Sequence, residues 1–293
     1  MPEQIPINFV NPTQMTVKDI DQGNNSRFNL TLANYGQYFE VEPSTVFSNT
    51  QVFIRVKNSS ILDYETRSYI TLKLVAREIY TTDKKSSTAT INMTIINVND
   101  HDPVFISSTP DLYIPENSPN GTYISTIEAT DEDFGPVRYS LSGNVFRIDE
   151  TSGNLTVLKS LDREKKSQYF LTVEAVDTGG RRTTKFITIN INDTNDNTPL
   201  FQRNEYEGFV NENKNFTRNV QITATDLDLE NTPNSRITYS IESSEPKGLT
   251  ANFTLDPNDG TLYLAQYLDY ESIKFKTSGT IKLNAVAKDN GIP

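Results

Sequence analysis

Apolar and polar residues alternate over short runs along most of this chain. Thr90-Ile91-Asn92-Met93-Thr94-Ile95, Lys185-Phe186-Ile187-Thr188-Ile189-Asn190-Ile191 and Thr280-Ile281-Lys282-Leu283-Asn284-Ala285-Val286 are the clearest cases. A period of two puts the apolar side chains on one face of an extended backbone, so each run predicts a half-buried strand. Turn residues separate such runs. Thr151-Ser152-Gly153-Asn154 and Asn258-Asp259-Gly260-Thr261 read as hairpin connections in which glycine supplies the positive φ. No segment carries a sustained apolar stripe of period 3.6 between caps, so the pattern predicts strands throughout. Many short strands at this spacing suggest β-sandwich modules of about 100 residues. Tyr139, Phe146 and Tyr169 sit at alternating positions and are expected in the core.

Aligned on itself, the chain resolves into three units. Leu62-Asp63-Tyr64-Glu65 returns as Leu161-Asp162-Arg163-Glu164 and Leu268-Asp269-Tyr270-Glu271. Asp19-Ile20-Asp21 returns as Asp131-Glu132-Asp133 and Asp226-Leu227-Asp228. Pro2-Glu3-Gln4, Pro115-Glu116-Asn117 and Asn211-Glu212-Asn213 form a third set, and Ala76-Arg77-Glu78, Ala175-Val176-Asp177 and Ala287-Lys288-Asp289 a fourth. Asn97-Val98-Asn99-Asp100-His101-Asp102-Pro103 reappears 96 residues later as Asp193-Thr194-Asn195-Asp196-Asn197-Thr198-Pro199. These runs offer oxygen atoms and no soft ligand, which suits a hard cation such as Ca²⁺ with roughly 6–8 oxygen ligands. Asp and Asn also crowd ordinary turns, but turn-making does not explain four acidic motifs recurring in one order.

Composition narrows the class. At 293 residues, 35% of them apolar, with 14 Tyr and 15 Phe, the chain can build two or three cores. A net charge of −11 argues against nucleic acid or an anionic membrane as partner. There is no Cys, so disulfides do not stiffen it. No run of about 18 apolar residues could span a bilayer, and Met1-Pro2-Glu3-Gln4 lacks the regions of a signal peptide. The density of Asn-x-Ser/Thr sequons, at Asn24, Asn29, Asn58, Asn92, Asn120, Asn154, Asn192, Asn215 and Asn252, favours an extracellular setting. Asn192 is expected to stay unmodified because its sequon runs into the crowded 193–197 segment.

In sequence, Pro115-Glu116-Asn117, Asp131-Glu132-Asp133, Asp162-Arg163-Glu164, Ala175-Val176-Asp177-Thr178-Gly179 and Asp193-Thr194-Asn195-Asp196-Asn197-Thr198-Pro199 match the patterns xEx, DxD, DRE, AxDxG and DxNDNxP. Their order resembles that of cadherin extracellular repeats, and the resemblance covers the whole chain. It implies an all-β fold of tandem seven-stranded Greek-key sandwiches joined end to end in a rod. The repeats would span 1–103 (beginning inside its first strand), 104–199, and 200–293, the last stopping short of its final strand. The piece is then expected to be the middle of a longer, membrane-anchored ectodomain of a non-classical cadherin.

The resemblance also assigns ligands to each joint, with about three Ca²⁺ apiece. For the second joint they are Glu116, Asp162, Glu164, Asp193, Asn195, Asp196, Asp226, Asp228 and Asp289, with the carbonyls of Thr194, Asn197 and Asn234. For the first they are Glu3, Asp63, Glu65, Asn97, Asn99, Asp100, Asp131, Asp133 and Asp177, with carbonyls from Val98 and His101. Half-sites Asp19, Asp21 and Glu78, and Glu212, Asp269 and Glu271, would face repeats beyond this chain. Eight of the second joint's residues are carboxylates. Unit charges about 5 Å apart repel by roughly 1–3 kcal/mol per pair between the dielectric of water and about 20, so without cations the modules should hinge loosely. Asn97 removes one ligand charge, which predicts weaker calcium binding at the first joint. His101 replaces Asn at a position used through its backbone. Asp133-Phe134-Gly135-Pro136-Val137 has no counterpart of Asn234, which puts one carbonyl in doubt.

Other chemistry finds little support. His101 is the single histidine and lies in a joint, so a Ser-His-Asp set is not available. Asp162/Glu164 and Asp269/Glu271 would need a defined separation across a sugar cleft to act as a glycosidase pair; their place beside repeated Asp-rich motifs, without an aromatic platform rich in Trp, favours ligands instead. Asp226-Leu227-Asp228 fails as an EF-hand, with Asn231 and Ile237 at its sixth and twelfth places. Gly179-Gly180 reads as a turn rather than a phosphate cradle. Lys165-Lys166 and Arg181-Arg182 read as exposed loop charge. The expected role is non-enzymatic: calcium-dependent cell–cell adhesion or mechanical linkage, with other cadherin ectodomains as partners and no small-molecule substrate. The alternative is a heterophilic receptor or signalling ectodomain in which the repeats are stiffened spacers. With no Trp, the exchange of an N-terminal Trp used by some cadherins is closed to this chain.

Overall fold

The computed structural model describes residues 2–3, 5–6, 11, 15–106, 111–133, 135–212, 214, 217–277 and 279–292; the candidate sequon Asn215 lies outside them. Strands take 43% of the chain and helices 5%, an all-β fold of tandem sandwiches. The backbone gathers into two compact units. One comprises 1–106, 128–138 and 174–183, the other 107–127, 139–173 and 184–293.

In the first unit, Met15–Val17, Thr50–Val56 and Phe39–Glu42 form one sheet in that order. Thr45–Phe47, Arg27–Leu32, Tyr69–Glu78 and Ser86–Thr94 form the other, giving seven antiparallel strands. Alternation sends Val52, Ile54 and Val56 from one sheet, and Ile70, Leu72 and Leu74 from the other, into a single core with Phe28, Leu30 and Phe39. Burial of each such side chain contributes about 1.5–3 kcal/mol, and this holds the layers together. The expected strand 90–95 lies at the end of Ser86–Thr94, with Met93 buried.

In the middle of the chain, Tyr123–Thr126, Asn154–Val157 and Phe146–Ile148 make a three-stranded sheet. Arg138–Leu141, Gln168–Val176, Arg182–Asn192 and Leu112–Pro115 make a four-stranded one. The last pairing is parallel, with Ile189 opposite Leu112. Further along, Thr217–Gln221, Thr261–Leu264 and Phe253–Leu255 pair in that order, as do Thr238–Glu245 and Lys282–Lys288. The last strand begins two residues later than the pattern predicted. Tyr139 and Phe146 are buried as expected, and Phe146 meets Tyr169 edge to face at 5.1 Å.

Both predicted hairpin turns form. Gly153 and Gly260 have φ of 71° and 68°, and a Cβ there would collide with the carbonyls of Ile127 and Ile222. Those same glycine carbonyls accept the N–H groups of Ile127 and Ile222, at 3.0 and 2.9 Å. Before the first turn, Asp149 Oδ1 accepts four hydrogen bonds from Thr151 and Ser152, which hold its carboxyl far below the usual range.

One expectation fails. Tyr270–Thr277 is an α-helix in a chain where only strands were predicted. Asp269 caps it through Oδ1, which accepts from Ser272 N–H at 3.3 Å. Among its residues with described side chains, Ile273 alone is buried, so no periodic stripe was there to be read.

Candidate functional site

In the first unit, the buried Glu3 joins two stretches of chain. Its Oε2 accepts from Tyr64 N–H at 2.7 Å and its Oε1 from Val98 N–H at 2.6 Å. This brings one carboxylate oxygen each of Glu3, Asp63 and Glu65 within 4.8 Å of one another. Asp63 uses Oδ1 to accept from Thr66 N–H at 2.8 Å, and that bond holds its carboxyl below the ordinary range. A second group forms from Asp131, Asp133 and Asp177, and a third from Glu65, Asp100, His101 and Asp133. Asp131 Oδ1 accepts from Asp133 N–H at 2.9 Å, and Asp133 Oδ2 from His101 N–H at 2.9 Å. The His101 ring enters too, with Nδ1 3.3 Å from Asp133 and 2.9 Å from Asp100, so it is more than the backbone contributor that was expected. The hydrogen bond to Asp133, aided by the charge of Asp100, pushes the imidazole pKa up. Asn97 donates Nδ2 to the Asp133 carbonyl at 3.2 Å.

The second unit repeats this construction. Buried Glu116 accepts from Arg163 N–H at 2.6 Å and Thr194 N–H at 2.9 Å, and gathers with Asp162 and Glu164. Asp226 Oδ1 accepts from Asp228 N–H at 3.0 Å, and Asp228 Oδ1 accepts from both nitrogens of Asn197. Asn195 donates to Asp289 at 2.9 Å, and Asp196 accepts from Asn117 at 2.5 Å. Asp193 departs from Asn97: its two oxygens accept from Arg163 Nε at 2.5 Å, Leu229 N–H at 2.9 Å and Asn234 Nδ2 at 2.8 Å. Asn234, expected through its carbonyl, reaches the cluster with its side chain.

Gly179 and Gly291 explain the glycine of the AxDxG motif. A Cβ on Gly179 would strike the Asn99 amide, and one on Gly291 would lie 2.7 Å from Asn195 Cγ. Each glycine therefore lets a linker asparagine approach the Asp of the same motif.

The unmet polar atoms concentrate here. Glu65 Oε1, Asn99 Oδ1, Asp131 Oδ2 and Asp177 Oδ2 in the first cluster are buried with no hydrogen-bond partner, as are Asn195 Oδ1, Asp226 Oδ2 and Asp228 Oδ2 in the second. Buried polar atoms are ordinarily satisfied, and seven hard oxygens left over at two places fit a hard divalent cation. Burial pushes up the carboxyls of Glu65, Asp131, Asp228 and Glu164, and negative neighbours add to it: Glu3 for the first, Asp133 and Asp177 for the second, Asp226 for the third and Glu116 for the last. Asp177 is also pushed up by burial, but hydrogen bonds from Arg181 N–H and Asn99 outweigh this and leave it lowered.

The half-site Asp19, Asp21 and Glu78 forms a compact group, with Asp21 N–H donating to Asp19 Oδ1 at 2.8 Å. At the other end, Glu212 accepts from Tyr270 N–H at 3.3 Å, which parallels Glu3 and Glu116, and Glu271 is exposed. Among the sequons, Asn24, Asn29 and Asn120 are exposed, and the Asn92 and Asn154 amide oxygens accept from Thr71 and Thr126. Asn58 accepts from Ser60 N–H through its side chain, whereas Asn252 donates its amide nitrogen to Tyr267. Two arginines were missed as participants. Arg181 donates to the carbonyls of Asp100 and Asn99 and to Asp102, and Arg163 pairs with Asp193 and Glu164. Basic residues adjoining acidic ligand motifs were the signal that could have found them. Among the described residues, no helix is long and apolar enough to cross a membrane.

Comparison with known proteins gives the family. The family model for the Cadherin domain matches residues 110–192 and 206–293. Cadherin-related family member 2 of Mus musculus is 37% identical over 290 residues, which cover 95% of this chain and 22% of that protein. Cadherin-23 of Rattus norvegicus is 35% identical over 294 residues, 98% of this chain and 9% of that one. The chain thus spans under a quarter of either relative. The crystal structure of mouse Cadherin-23 EC22-24 superposes with a TM-score of 0.76 at 27% identity, covering 99% of this chain and 89% of that one. These relatives are non-enzymatic. The chain belongs to the cadherin family.

Proposed function

We propose that this chain is a calcium-stiffened segment of a cadherin ectodomain, on the extracellular side of the plasma membrane, serving cell–cell adhesion or mechanical linkage. Three repeats, 1–103, 104–199 and 200–293, would meet at two joints, each built on one of the carboxylate clusters. The observation carrying this reading is the set of buried, partnerless oxygens that, among the described residues, is confined to those clusters. Glu3, Asp63, Glu65, Asn99, Asp100, Asp131, Asp133 and Asp177 would hold calcium at the first. Glu116, Asp162, Glu164, Asp193, Asn195, Asp196, Asp226, Asp228 and Asp289 would hold it at the second. Bound calcium would supply positive charge to carboxylates that otherwise repel one another. The residues themselves fix the geometry: Glu3 and Glu116 tie each LDxE turn to its linker, and Gly179 and Gly291 admit the linker asparagines. Other cadherin ectodomains are the partner class.

Beads coated with the chain test the adhesive half of the reading. Calcium-dependent clustering is the expected result. Dispersed beads in calcium, with calcium bound and the chain monomeric, would instead assign these repeats to spacing within a longer receptor.

A further inference from the structure

Arg163 stands at the place that Tyr64 occupies in the first cluster, and its partner Asp193 stands where the first cluster has Asn97. The two differences arrive together. The side chains of Arg163, Asp193 and Glu164 are 14%, 7% and 17% exposed, so the pairing is well removed from solvent. Arg163 Nε donates to Asp193 Oδ1 at 2.5 Å, one terminal nitrogen lies 2.7 Å from Glu164 Oε1, and it also donates to the Leu227 carbonyl at 3.4 Å. Its backbone N–H is held by Glu116. A guanidinium is permanently charged and presents several donors in one plane, so it engages neighbouring carboxylates in defined directions. In this arrangement it hydrogen-bonds one residue of the proposed calcium ligand set, Asp193, and stands in ion-pair contact with a second, Glu164.

We infer that Arg163 is a built-in counter-cation of the second cluster: it holds Asp193 and Glu164 together in the metal-free protein, and calcium must displace it. This rests on the calcium reading above and goes beyond it. The metal-free second cluster should be held more firmly than the first, where the cations are a titratable imidazole, His101 beside Asp100 and Asp133, and Arg181, whose pair with Asp102 is far more exposed. It should also fill at a higher calcium concentration than its carboxylate number alone would give. The loss of Asp at Asn97 and the presence of Arg163 then act in opposite directions on the difference between the two clusters.

Calcium calorimetry and melting in chelator, on the whole chain, test this with Arg163→Gln and Arg163→Lys. Arg163→Gln should melt a few degrees lower without metal, yet bind calcium at the second cluster on the order of fivefold more tightly. Arg163→Lys keeps the charge but not the planar donor set, and should fall between wild type and Arg163→Gln on both readouts. Unchanged or weaker calcium binding by Arg163→Gln, or an undiminished metal-free melting temperature, overturns the inference. So does an Arg163→Lys that matches wild type, since bulk charge would then suffice. If wild type itself takes up no calcium, the calcium reading fails and the displacement with it, a result distinct from normal uptake that Arg163 does not affect.

Discussion

Removing the Glu116 carboxylate should break the second cluster even before any metal is considered. Glu116 is 2% exposed, and its two oxygens serve Arg163 N–H at 2.6 Å and Thr194 N–H at 2.9 Å. Hydrogen bonds to a charged acceptor contribute about 1.5–3 kcal/mol each, and a buried donor left unmet costs a similar amount. Glu116→Ala strands both donors, so the loss should be about 3–5 kcal/mol. For a module of about 100 residues this lowers the melting temperature by on the order of 10–20 °C. Glu116→Gln keeps the shape and can accept from one N–H while its amide faces the other, so roughly half the loss is expected. Thermal melting in chelator isolates this effect from metal binding. A Glu116→Ala protein within about 0.5 kcal/mol of wild type would show that the carboxylate does not hold the turn to the linker, and would refute the reasoning.

Three further outcomes follow from the same geometry. Gly179→Ala and Gly291→Ala should push Asn99 and Asn195 away from Asp177 and Asp289, and each should weaken calcium binding at its own cluster by about tenfold, read by calorimetry. Asp228 has a folded pKa raised first by burial and then by Asp226. A raised acid makes the folded state bind protons more tightly than the unfolded one, so its cost is absent at low pH and grows as pH rises through the raised value. Asp228→Asn should therefore raise the metal-free melting temperature at neutral pH while weakening calcium binding. For the same reason, calcium affinity should fall, and proton release on binding should rise, as pH drops from about 7 into the range where Glu65, Asp131 and Asp228 take up protons. Calorimetry in buffers of different ionisation heat measures that release.

Much of the fold was legible because the inward face of each strand is nearly uniform. Ile187, Ile189 and Ile191 are all buried on one side of Arg182–Asn192, as their spacing requires. The helix Tyr270–Thr277 was not legible, since a cap at Asp269 and, among its described side chains, a single anchor at Ile273 do not make a period. Within the clusters, the acidic residues could be picked out by their recurrence, a property of sequence alone. What they do was less visible. Glu3 and Glu116 act as hubs for backbone N–H groups from segments far apart in the chain, a relation that exists only once strands are paired. Arg181 looked like loop charge because charge runs usually are, Arg163 stood only as the middle residue of the DRE match, and only distances to Asp100 and Asp193 reveal their place. The glycine of AxDxG was explained by a close approach that no local pattern encodes.

The most direct test of the account is the melting temperature of the intact chain followed through a calcium titration from chelator to saturation. Each site filled to about 100 times its dissociation constant adds roughly 2.7 kcal/mol, so the predicted result is a steep rise that saturates as several ions are taken up. A melting temperature that is the same in chelator and in saturating calcium would contradict it.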